Sequence, residues 1–105
     1  MIDHIVLCSL RPEVDGEKLE EMVRASRSNL LKIPEVLRVC SGRNLDPDSE
    51  WRFYFSIEVE SREKLATAED DPVYLRFLEK VIRPHTETLN IFNYETDPSK
   101  DLRYS

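Results

Sequence analysis

Two side chains in this sequence combine reactive chemistry with suitable surroundings: His4 and Tyr74. His4 stands in IDHIVLC among apolar neighbours. An imidazole titrates near neutral pH, so it could act as a general base or as the polar group of a pocket. A buried, hydrogen-bonded core histidine fits the same setting. Tyr74 falls on the apolar side of a helical pattern. Its phenol can donate a hydrogen bond, but a usual pKa of about 10 makes it a weak base at neutral pH. Here too a core aromatic is the plain alternative. Other candidates need less explanation. His85 follows Pro84 at a helix end and is expected on the surface, while Trp51 and Tyr54 are expected to pack in the sheet or at an interface. Asp70 and Asp71 could contribute to a cation site, but a polar corner and a helix cap account for them. Cys8 and Cys40 lie inside apparent strands, outside any C-x-x-C pair, and their spacing from the two histidines matches no structural zinc pattern. They are expected to be buried thiols. With only two glycines the chain has no Gly-rich phosphate loop. No metal and no cofactor is expected.

Strands and helices must hold these groups, and the chain is long enough for one domain of them: 105 residues, 40% hydrophobic and 34% charged. A net charge of −6 argues against a nucleic-acid partner, since such binders carry a basic face. No apolar run nears the roughly 18 residues of a membrane span. The start, MIDHIVLCSL, lacks the basic region of a signal peptide, so a cytoplasmic location is expected.

Ile2–Leu10 reads as a strand with large apolar groups on both faces. A helix capped by Asp15 carries Leu19, Met22, Val23, Ser26, Leu30 and Ile33 on one side and ends before Pro34. Val36–Asn44 is a second strand, where Gly42 suggests a bulge or a close backbone approach. Trp51–Val59 is a third, with Phe53, Phe55, Ile57 and Val59 on one face. Ser61 caps a short helix. Asp71 and Pro72 then open a long helix with Val73, Tyr74, Phe77, Leu78, Val81 and Ile82 on its apolar face. Pro84 stops it, and Leu89–Tyr94 forms the last strand. The order β-α-β-β-α-β is the ferredoxin-like split motif: an α+β fold with a four-stranded antiparallel sheet and both helices on one face. The other face would show Ile5, Leu7 and Tyr54. A patch of that kind marks an interface, and the simplest cover is a second copy across a two-fold axis. Such sheet-on-sheet packing buries on the order of 2,000 Å² or more.

The start MIDHIVLCSLRP, the segment IPEVLRVCSGRNLDP and the close DPVYLRFLEKVIRPHTETLNIFNYE, in that order and spacing, resemble the stress-responsive A/B barrel (Dabb) domain. The resemblance covers residues 1–95 and leaves 96–105 as a polar tail. It implies a dimeric α+β barrel, a homodimer through the sheet face. In the cyclase-like members of the family a His-Pro-x-His pattern on the long helix works with a Tyr one element earlier. This chain reads Asp71-Pro72-Val73-Tyr74, with Ala68 where that Tyr stands, so the cyclase activity is not carried over. His4 does match. The resemblance implies a pocket between sheet and helices formed by His4, Met22, Val23, Ser26, Phe53, Phe55 and Tyr74. Without the cyclase pair, binding of a small apolar or aromatic molecule is expected. The alternative is a cofactor-free enzyme of the monooxygenase, polyketide cyclase or isomerase type, using His4, Tyr74 or both.

Overall fold

The computed structural model describes residues 1–97. Its elements are β1 (Ile2–Leu10), α1 (Gly16–Leu30), β2 (Arg38–Arg43), β3 (Phe53–Val59), α2 (Arg62–Glu69), α3 (Pro72–Phe77) and β4 (Thr86–Glu95). The four strands form one antiparallel sheet in the order β2-β3-β1-β4, a ferredoxin-like fold. Each helix begins where a short polar side chain takes up a free backbone donor. The Asp15 carboxylate accepts from the Lys18 N–H at 2.8 Å, the Ser61 hydroxyl from Lys64 and the Asp71 carboxylate from Val73 at 2.8 Å. Asp71 is thereby occupied as a cap, with Pro72 at the position where its missing N–H costs nothing.

Strand alternation decides which side chains meet the helices. Ile2, His4, Val6, Cys8 and Leu10 of β1 share a face with Phe53, Phe55, Ile57 and Val59 of β3, and all nine are buried. Leu19, Met22, Val23 and Leu30 of α1, Leu65 and Ala68 of α2, and Tyr74 and Phe77 of α3 close over them. Among the described residues the opposite face of the sheet carries no helix. Its rows follow from the register. Arg38, Glu58, Asp3 and Tyr94 lie side by side at one end, then Cys40, Ser56, Ile5 and Phe92, then Gly42, Tyr54, Leu7 and Asn90. On this face Ile5, Leu7 and Tyr54 are half-buried, while Phe92 and Tyr94 are 44% and 56% exposed.

Several boundaries differ from the sequence reading. β2 is shorter than Val36–Asn44 at both ends, and Trp51 and Arg52 precede β3 rather than belonging to it. Gly42 marks no bulge: β2 and β3 pair in unbroken register, and Gly42 lies opposite Tyr54, whose ring carbon is 3.4 Å from where a Cβ would sit. The register shift falls instead at Ser9/Leu10 against β4. Helix α1 stops at Leu30, and Lys32, Ile33 and Val36 continue in successive tight turns ahead of and past Pro34. β4 begins at Thr86, three residues before the expected Leu89, and Thr96 extends its ladder by bonding Met1 in both directions. Of the polar tail expected at 96–105, residues 98–105 lie outside the described residues.

The largest departure concerns the long helix from Asp71 to Arg83. It is α-helical only to Phe77, then opens into a π-helical turn over Leu78–Ile82 and tightens into a 3₁₀ turn at Arg83–His85. The Arg83 N–H reaches back five residues to the Leu78 carbonyl. Phe77 and Ile82 are both buried. Five residues would carry the second about 140° round an α-helix from the first. The wider turn lets both point at the sheet.

Candidate functional site

His4 faces the helices from the middle of β1 and is wholly enclosed. Its two ring nitrogens contact different elements. Nε2 lies 2.9 Å from the Tyr74 hydroxyl on α3, and Nδ1 lies 2.6 Å from Asn93 Oδ1 on β4. Asn93 is opposite His4 in the β1–β4 ladder, so strand register places it. An amide oxygen can only accept, so Nδ1 is a donor, and in the neutral imidazole Nε2 then presents its lone pair to the Tyr74 O–H. The result is a directed chain, Tyr74 donating to His4 and His4 donating to Asn93, assembled from three elements. The His4 and Tyr74 rings meet edge-on at 6.1 Å, and Phe55 stands edge-on to Tyr74 at 6.4 Å and to Phe77 at 5.3 Å.

Burial pushes the Tyr74 hydroxyl above its usual range, with further upward contributions from Glu69 and Cys8. The phenol therefore stays protonated, and its hydrogen is the one that serves His4. The Cys8 thiol is pushed up to about 12 by burial, against a smaller opposing contribution from the Thr86 hydroxyl. It is no nucleophile at neutral pH, because the thiolate is the reactive form. Cys8 and Cys40 are both free; Cys8 is buried and Cys40 half-buried. Both acids have folded pKa values above their unfolded ones, so folding holds protons that the unfolded chain releases. Stability from Cys8 is complete below about pH 9 and declines from there towards pH 12, by about 1.4 kcal/mol per pH unit. Tyr74 adds to that decline above its own unfolded value near 10. Urea titrations at pH 8 and pH 10 should show the loss, and Cys8→Ala should remove the part that begins near pH 9. An identical slope in that variant would assign the decline to other groups.

The remaining pocket candidates are distributed through the same layer. Phe55 contacts Tyr74 directly and Phe53 packs tilted against Phe55 at 6.3 Å. Met22 and Val23 belong to the core that seats α1 on the sheet. The Ser26 hydroxyl donates to the Val23 carbonyl of its own helix at 2.7 Å, so it is engaged locally. His85 is half-buried rather than exposed, and borders a small hollow with Met22 and Val81. Asn93 was not among the sequence candidates. A polar residue inside NIFNYE is the one signal it gives, and only the β1–β4 pairing turns that signal into a contact.

Two surface hollows adjoin the site and the open face. One, of about 360 Å³, is bordered by Ile2, Arg62, Leu65, Asn93, Tyr94 and Glu95. The other, of about 230 Å³ on the uncovered side of the sheet, is bordered by Asp3, Ile5, Arg38, Cys40, Tyr54, Ser56 and Glu58. Among the described residues no helix is long and apolar enough to cross a membrane.

Comparison with known proteins fits this architecture. The family model described as the stress responsive A/B barrel domain matches residues 2–96. A Dabb family protein with a ferredoxin-like fold from Mesorhizobium loti is 20% identical over 90% of this chain and 95% of its own, with a TM-score of 0.77. A dimeric ferredoxin-like protein from Thermobifida fusca is 18% identical over 90% of each chain, at 0.78. The hydroxynitrile lyase of Passiflora edulis is 19% identical over 91% of this chain and 93% of its own, at 0.74. At these identities the likeness concerns the fold. No curated protein matches the sequence.

Proposed function

Because this chain belongs to the stress-responsive A/B barrel family, we propose that it works as a homodimer closed through the helix-free face of its sheet, each protomer taking up a small apolar or aromatic molecule between sheet and helices beside His4 and Tyr74. The dimer reading is supported by the patch of Ile5, Leu7, Tyr54 and Phe92, drawn from two adjacent rows of the sheet and covered by no described helix, and by the dimeric state of the relative from Thermobifida fusca. The observation that carries the site is the Asn93–His4–Tyr74 chain. A polar group of this kind in an otherwise apolar layer is costly unless every member is bonded, and here His4 is satisfied on both sides. Phe55 and Phe77 supply aromatic edges for a flat apolar ligand, and the Tyr74 oxygen, whose hydrogen serves His4, is left to accept from a phenol O–H on it.

The His4–Tyr74 bond also favours a second reading, a cofactor-free isomerase-type step. Tyr74 would donate its hydrogen bond to a substrate carbonyl, and His4 Nε2, released from Tyr74, would accept a proton from the neighbouring carbon. That proton would return at a different position. The Passiflora edulis relative is a lyase, so the fold is compatible with catalysis.

Thermal shift against pentane-2,4-dione, small alkylphenols and γ-lactones tests both readings. A ligand at ten times its dissociation constant contributes about 1.4 kcal/mol to the native state and raises Tm by several degrees. Tyr74→Phe, which keeps the ring, should abolish most of that rise. An undiminished rise in the variant, or none with any probe, would remove the Tyr74 site. Proton–deuterium exchange at the diketone carbon separates catalysis from binding.

A further inference from the structure

The Asn93–His4–Tyr74 chain has one end at the surface. His4 and Tyr74 are enclosed, whereas Asn93 is exposed and borders the 360 Å³ cleft. Its Oδ1 serves His4, which leaves the Nδ2 amide as a donor available to the cleft. The cleft joins two kinds of surface. Ile2 and Leu65 are nearly buried and apolar, and Arg62 and Glu95 are exposed and charged. Neither Arg62 nor Glu95 takes part in an ion pair among the described residues. At the roughly 30 Å³ that a water occupies in the liquid, the space suits about a dozen non-hydrogen atoms.

We propose that this cleft binds a small monocarboxylate with an apolar body, its carboxylate held by Arg62 and the Asn93 amide and its body against Ile2 and Leu65. The guanidinium fork matches a planar carboxylate, and the amide adds a donor beside it. Glu95 sets the charge limit: with one cation and one anion on its border the cleft favours a single negative charge, and a phosphate dianion would meet the Glu95 carboxylate. A ligand bonded to Nδ2 fixes the amide with Oδ1 towards His4 and so holds the imidazole tautomer that accepts from Tyr74. The site deepens the reading given above, since its functional value rests on His4 and Tyr74 being the working pair.

Benzoate and its neutral counterpart benzyl alcohol are suitable probes for the full chain, titrated by calorimetry and by ¹⁵N spectra of the histidine ring. Benzoate should bind saturably, at least tenfold more tightly than benzyl alcohol, and should shift the His4 nitrogens. Arg62→Gln, an exposed substitution on the first turn of α2, should weaken benzoate at least tenfold. Glu95→Gln should not weaken it. A second basic cleft, bordered by Lys32 and Arg76, supplies the control. If the loss follows Lys32→Gln instead of Arg62→Gln, or if benzyl alcohol binds as well as benzoate, the assignment is overturned. The two readings fail separately: a phenol-induced Tm rise indifferent to Tyr74→Phe removes the inner site, while Arg62-dependent benzoate binding would still stand.

Discussion

Leu7→Asp should convert the proposed dimer, of twice 12.4 kDa, to a particle of 12.4 kDa at micromolar concentration. Leu7 lies in the row with Gly42, Tyr54 and Asn90, on the face that no described helix covers, one row from Ile5 and Phe92. In the monomer it is half-buried, so an aspartate there still reaches water and the fold persists. In a dimer closed through this face two copies of the carboxylate would be buried without partners. Removing a charge from water costs several kcal/mol even after relaxation. Two such penalties together come to about 7 kcal/mol, which weakens association roughly a hundred-thousandfold and leaves a nanomolar dimer dissociated at micromolar protein. Light scattering after gel filtration measures the mass, and circular dichroism verifies that the monomer is folded. Leu45→Asp, at a fully exposed turn position, is the matched control and should leave the mass unchanged. A Leu7→Asp protein that keeps the double mass would move the interface off this face.

The second large effect concerns His4. His4→Ala should cost about 3–5 kcal/mol, because it opens a cavity in an enclosed layer and orphans the Tyr74 hydroxyl. Tyr74→Phe should cost about 1–2 kcal/mol, since the ring stays edge-on to Phe55 and only the donor to Nε2 is lost. The double variant should cost less than the sum, because the shared bond is counted twice. Urea unfolding with a common slope provides all three values. Values for His4→Ala within 1 kcal/mol of the parent, or strict additivity, would mean that the His4–Tyr74 bond contributes nothing.

Much of this arrangement was readable from residue order. Period-two alternation placed Phe53, Phe55, Ile57 and Val59 on one side of a strand, and the caps Asp15, Ser61 and Asp71 announced three helices. His4 and Tyr74 each stood out because a polar group sat on an apolar face. Their mutual bond was not readable, since they are 70 positions apart and meet only once α3 crosses β1. Asn93 was hidden for a related reason. Its partner depends on strand register, which local pattern does not encode, and a shift of one residue would have put Phe92 there instead. The widened turn at Leu78–Ile82 was invisible because Val81 and Ile82 satisfy an ordinary helical period as written.

That turn has a geometric consequence for the site. It lies between Tyr74 and Asn93 along the chain, so it sets the phase between the two groups that hold His4. Upstream, helical rotation aims the phenol; downstream, the pleat aims the amide. One residue fewer in the loop of backbone between them would either twist α3 by a quarter turn or more against the sheet or advance the last strand by a step and face its amide the other way. The wide turn thus acts as a spacer of fixed angle, keeping a rotating element and an alternating one in step around a single imidazole.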